Sequence, residues 1–186
     1  MQRLNKINLF IADRSTGKST YTREVIDAQA KKTLIVDTLD HPMYRDIELV
    51  DIKRLQYWVK GKKRIITNLN RIKQDAAFLS AHLRNTFLVF EDATKYMRDN
   101  TPPEVFNIIY DSKQKNIDVL LIYHNFENVA KEVLTNADYL TLGYLTENIS
   151  RYGKIPSHER VLALQAKVNA LCKKKGNNFQ RLTIEI

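Results

Sequence analysis

The stretch "LFIADRSTGKST", residues 9–20, decides how this chain is read. Its first half is apolar and strand-like. Its second half is small and polar and ends on Gly17-Lys18-Ser19-Thr20. A strand that runs into such a loop and then into a helix opened by Lys18 is built to hold phosphate. Successive backbone N–H groups from Asp13 to Thr20, with the positive end of the helix, surround an anionic tail. Gly17 lets the backbone come close. Lys18 reaches the terminal phosphates as a point charge. The Ser19 hydroxyl is a ligand for Mg²⁺, and Thr20 supports the helix start. Asp13, Arg14, Ser15 and Thr16 complete the cradle. Ala12 stands where such loops carry their first glycine. If that position needs a positive φ, alanine there is strained by about 1–2 kcal/mol.

Working outward, short aliphatic runs alternate with longer amphipathic ones. Strands are expected over residues 7–12, 33–37, 64–68, 86–90, 117–123, 139–144 and 181–186. Helices are expected over 18–30, 71–83, 103–115, 129–136 and 157–174. Several of the strands are apolar almost throughout, as in "FLVF" and "DVLLIY". That composition belongs to strands covered on both faces of a parallel sheet. Alternation with helices implies right-handed crossovers and a mainly parallel sheet in a three-layer α/β/α fold. Thr101 is expected to cap the helix opened by Pro102 and Pro103, and Gly176 to end the last helix. Residues 1–146 are expected to form the nucleotide-binding core. Residues 147–186 add a helix and a strand to the same domain.

A second cluster of chemistry follows in "TFLVFEDA". In a parallel sheet, functional groups collect at the carboxyl ends of strands, which aims Glu91 and Asp92 at the phosphates. Glu91 is placed to hold Mg²⁺ with Ser19, and Asp92 to orient or deprotonate an attacking water. The strand in "NIDVLLIYHN" ends at His124 and Asn125. His124 is expected between the two motifs, sensing the γ-phosphate or positioning water. No Cys/His cluster accompanies it, which argues against zinc.

The formal net charge of +9 favours polyanionic partners such as nucleic acid. Lys60, Lys62, Lys63 and Arg64 form one candidate patch for DNA phosphates, and Lys173, Lys174 and Lys175 another. No apolar run approaches the roughly 20 residues needed to span a bilayer, so membrane insertion is not expected. The N-terminus lacks the apolar region and cleavage site of a leader. The single cysteine, Cys172, suits a reducing cytoplasm.

The order GKST, then "VDT" and "HPMYRDI", then "FLVFEDA", then "YDSKQKNIDVLLIYHN" resembles the FtsK–HerA branch of P-loop NTPases. It is particularly similar to small viral genome-packaging ATPases and to zonular-occludens-toxin-like phage proteins. The resemblance covers residues 7–144. It implies an ATP-hydrolysing motor with ATP and Mg²⁺ as cofactors. It also implies a homo-oligomeric ring on double-stranded DNA, a capsid or portal component as a further partner, and a place in the host cytoplasm or virion. The chain departs from the pattern at three points. Glu91 precedes Asp92 where the usual order is Asp then Glu. His124 stands where glutamine is common. Lys113 and Lys115 occupy the place of an arginine that would act on a neighbouring subunit, with Arg98 and Arg151 as further basic residues. Two other functions fit the residues: a small nucleoside or nucleotide kinase, and a phage assembly or secretion ATP-binding protein.

Overall fold

The computed structural model describes residues 5–98, 101, 103–153 and 155–186. In chain order the elements are β1 (Ile7–Ile11), α1 (Lys18–Asp27), β2 (Lys32–Asp37), β3 (Lys62–Ile66), α2 (Ile72–His82) and β4 (Thr86–Phe90). There follow α3 (Pro103–Asp111), β5 (Ile117–Tyr123), α4 (Lys131–Asn136), β6 (Tyr139–Leu142), α5 (His158–Lys175) and β7 (Leu182–Glu185). Short 3-10 helices at Pro42–Tyr44 and Ile52–Tyr57 fill the long β2–β3 connection, which the apolar pattern does not announce.

The strands form one sheet in the order β3-β2-β4-β5-β1-β6-β7. All neighbours are parallel except the β6–β7 pair. β1 is therefore interior, between β5 and β6, and the chain leaves it through α1 to build the β2 side. That reversal opens a crevice at the carboxyl ends of β1, β5 and β4.

Alternation along β1 explains the layers. Ile7, Leu9 and Ile11 enter one core cluster, while Phe10 and the following Ala12 enter the other. The larger cluster takes the buried faces of α2, α3, α4 and α5. The smaller one is covered by α1, through Ile26 with Tyr21 and Val25, and by Tyr44 and Ile47. Burying each large aliphatic chain of this kind contributes about 1.5–3 kcal/mol. The three-layer α/β/α expectation is met.

Several boundaries shift. α1 stops at Asp27, three residues before the expected end, and α3 stops at Asp111, ahead of a turn that leads into β5. β3 begins at Lys62, two residues before the expected start, because it pairs from Lys62 with Thr33. Among the described residues Thr101 is not seen to cap α3. Its hydroxyl instead accepts from the Arg98 N–H at 2.7 Å and donates to the Tyr96 carbonyl at 2.8 Å. Pro102, the other part of that expectation, lies outside the described residues. Gly176 does end α5, in the left-handed region at φ 65°.

Candidate phosphate-binding site

The loop after β1 is shaped by its own polar side chains. Thr16 Oγ1 donates to the Asp13 carbonyl at 2.6 Å. Asp13 turns its carboxylate outward, accepting from the Thr146 N–H at 2.9 Å and the Thr146 hydroxyl at 2.7 Å. Ser15 and Gly17 take positive φ, 59° and 79°, and Gly17 is the N-cap of α1. Ala12 is not among the positive-φ residues, so alanine there is unstrained. Its space is provided from elsewhere. A Cβ on Gly143 would lie 2.7 Å from the Ala12 Cβ. The glycine missing from the loop has a counterpart just after β6.

A cavity of about 510 Å³ opens at this loop. Arg14, Ser15, Gly17, Lys18, Ser19 and Thr20 form one wall, and Asp37, His41, Glu91, Asp92, Lys95 and His124 bring the other strands to it. Of the residues expected from sequence, Glu91, Asp92 and His124 thus share one cavity with the loop. Asp13 and Thr16 act inside the loop's own hydrogen bonding.

Lys18 is 7 % exposed. Its Nζ donates to the Ala12 carbonyl at 2.7 Å and also to the Asp13 carbonyl. Burial lowers its pKa from 10.5 to about 8, against the attraction of Asp13, Glu91 and Asp92. Glu91 is 8 % exposed and accepts the Tyr44 hydroxyl hydrogen bond at 2.9 Å. Burial raises its pKa to about 7; the Tyr44 hydrogen bond opposes this, and Asp37 and Asp92 reinforce it. Asp92 leaves β4 in the left-handed region at φ 53°, which aspartate tolerates better than most residues. Its Oδ2 is 3.3 Å from Lys95 Nζ, and its Oδ1 is 3.4 Å from His124 Nε2. Burial and then the charge of Lys18 hold the His124 pKa below its usual value, with Asp92 opposing.

Two buried atoms in the cavity have no hydrogen-bond partner, Asp92 Oδ1 and His124 Nδ1. Buried polar atoms are nearly always satisfied, so both call for a polar guest. The donors suit Mg²⁺, being a hydroxyl on Ser19 and a carboxylate on Glu91, both hard oxygen ligands. Among the described residues no group of three or more His, Cys, Asp and Glu forms a ready metal cage. Mg²⁺ commonly takes few protein ligands and shares the rest with phosphates and water.

Sequence reading missed three contributors. Asp37 ends β2 fully buried and accepts the backbone N–H groups of Leu39 at 3.0 Å and His41 at 2.7 Å. That brings His41 Nε2 within 3.3 Å of Ser19 Oγ. Tyr44 then reaches Glu91. The segments "VDT" and "HPMYRDI" carry these residues, but nothing in them assigns the three a role at the site.

The candidate cationic patches are largely engaged. Lys62 pairs with Asp27 at 2.6 Å, Lys63 with Glu48, and buried Arg64 with Asp40 at 2.5 Å. Lys115 pairs with Asp111 and bonds the Ser80 carbonyl. Arg98 donates to the Thr94 carbonyl, and Arg151 lies over the Tyr152 ring at 5.1 Å. Lys173, Lys174 and Lys175 are exposed at the end of α5.

Fold and site define a P-loop NTPase architecture. No protein-family model and no curated protein match the chain. Solved structures do. The genome-packaging NTPase B204 from Sulfolobus turreted icosahedral virus 2, in complex with AMPPCP, is 15 % identical over 98 % of this chain and 93 % of that one, with a TM-score of 0.72. Its complex with ATP-gammaS gives 17 % identity over 85 % and 86 %, at 0.65. The N-terminal domain of zonular occludens toxin from Neisseria meningitidis gives 9 % over 98 % and 93 %; its TM-score of 0.49 is too low to carry weight. At these identities the likeness is one of fold, and it bears out the resemblance to packaging ATPases at that level. Among the described residues no helix is long and apolar enough to cross a membrane.

Proposed function

We propose that the chain is a Mg²⁺-dependent ATPase that moves double-stranded DNA, most simply as a subunit of a viral genome-packaging motor. The observation that carries the ATPase reading is the convergence of Lys18, Glu91, Asp92 and His124 on one cavity beside the phosphate loop. Lys18 gives up its loop carbonyls to neutralise the β- and γ-phosphates. Ser19 and Glu91 are the residues that would hold Mg²⁺, which when bound offsets phosphate charge. Asp92 Oδ1 accepts a proton from water as its oxygen bonds the γ-phosphorus and the bond to the ADP oxygen breaks. His124 holds that water from the other side. Burial holds Glu91 near pKa 7, so Glu91 would have to be ionised to serve as a Mg²⁺ ligand.

The DNA part of the reading draws on the net charge of +9 and on the fold shared with B204. With Lys62, Lys63 and Arg64 in internal pairs, the exposed lysines at the end of α5 are the better DNA contacts. The test is phosphate release with and without double-stranded DNA, with mass measured in the presence of ATP. DNA stimulation and a ring support the motor. DNA-independent hydrolysis by a monomer overturns the motor and leaves the ATPase.

A further inference from the structure

The phosphate cavity accounts for the charged end of a nucleotide and leaves its base unassigned. The γ-phosphate end faces Glu91, Asp92 and His124, on the β5–β4 side of β1. The base must then leave the loop on the other side, toward β6 and β7. There the chain presents an exposed aromatic ring, Phe179, 58 % exposed. Its Cδ1 lies 3.1 Å from where a Cβ of Gly17 would stand, with Cε1 at 3.8 Å and Cγ at 3.9 Å. One edge of the ring rests on the phosphate loop and the rest is open.

This placement is built. After α5, Gly176 in the left-handed region turns the chain, and the Phe179 N–H donates to Asn177 Oδ1 at 3.1 Å. Two residues beyond the ring, Arg181 pairs with Glu24 of α1 at 2.8 Å and lies over the Tyr21 ring at 4.4 Å. β7 then runs antiparallel to β6, so the segment ahead of it sits at the carboxyl end of β6, beside the loop. A second cavity of about 460 Å³ is lined by Tyr144, Asn169, Ala170, Lys173 and Asn178, the residue before Phe179. Tyr144 ties this cavity to the phosphate loop, since its carbonyl accepts the Asp13 N–H at 2.9 Å. A large apolar ring held in water beside a phosphate cradle forgoes burial that a flat base would supply.

We infer that Phe179 is the stacking platform for the nucleobase, and that the ligand is a purine nucleoside triphosphate with its base over Phe179 toward the Asn178 side. The inference rests on the phosphate-site reading above. Stacking is tolerant of base identity because every base has a π-face, so ATP and GTP both bind, purines ahead of pyrimidines.

The test compares ATP with inorganic tripolyphosphate, each titrated with Mg²⁺ into the wild-type chain, Phe179→Leu and Phe179→Trp. Leucine keeps apolar contact with Gly17 and removes the π-face; Phe179 is exposed, so neither change disturbs the core. Phe179→Leu is expected to weaken ATP on the order of tenfold and leave tripolyphosphate unchanged. Phe179→Trp is expected to retain ATP affinity and to quench the emission of bound 2-aminopurine riboside triphosphate. Equal weakening of ATP and tripolyphosphate by Phe179→Leu, or no effect on either, overturns the platform while the phosphate site stands. A wild-type chain that binds neither ligand overturns both.

Discussion

Replacing Glu91 with glutamine should stabilise the ligand-free protein while destroying the metal site. Burial holds the Glu91 pKa near 7 against 4.5 for a free carboxyl. Across that window the folded state keeps a proton that the unfolded chain has released, so stability falls as pH rises from about 4.5 to 7. At about 1.36 kcal/mol per pKa unit, the penalty is about 3 kcal/mol near pH 7.5 and under about 1 kcal/mol near pH 5. Glu91→Gln preserves shape and leaves an amide oxygen to accept from Tyr44. The variant should therefore be more stable than wild type by about 3 kcal/mol near pH 7.5, and the gap should shrink by about 2 kcal/mol near pH 5. Lys18, with its pKa lowered to about 8, adds the opposite slope only above that pH. Working below it keeps Lys18 mostly charged in both states. Urea unfolding of both proteins at the two pH values reads the difference, from which carboxylates common to both cancel. A variant less stable than wild type near pH 7.5, or a gap that does not change with pH, would refute the reasoning.

Tyr44→Phe removes the donor that pulls the Glu91 pKa down. The glutamate should then titrate higher still, seen in carboxyl carbon shifts, with a loss of about 1.5–3 kcal/mol in stability. Gly143→Ala drives a Cβ against Ala12 and should cost about 1–3 kcal/mol in urea unfolding. Ala12→Gly in the same chain should restore most of that loss, and two independent, additive effects would contradict the contact. Asp92→Asn should cut phosphate release about 10²–10⁴-fold with ATP affinity in calorimetry little changed. A matching loss of affinity would make Asp92 a binding group instead.

The legible parts of this chain are those written locally. Apolar runs such as "FLVF" and "DVLLIY" mark β4 and β5, because strands covered on both faces need no alternation. Gly17, Lys18 and Ser19 were readable because a phosphate cradle demands those residue types in that order. The illegible parts depend on where distant segments meet. Tyr44 reaches Glu91 across 47 positions, and nothing near Tyr44 announces it. The Ala12 departure is resolved by Gly143, which only the β1–β6 pairing brings alongside. The basic run at residues 60–64 looked like a DNA patch, yet its partners Asp27, Asp40 and Glu48 come from other segments. Phe179 stands alone among polar neighbours in the sequence, and only the antiparallel pairing of β7 with β6 brings its segment beside the loop.

The most direct test of the central claim is calorimetric titration of ATP with Mg²⁺ into the wild-type chain and into Lys18→Ala. Saturable heat with one site per chain, proton release that tracks Glu91, and loss of the signal when Lys18 is removed are the expected results. Absence of heat from the wild-type chain, or an unchanged isotherm for Lys18→Ala, would contradict that claim.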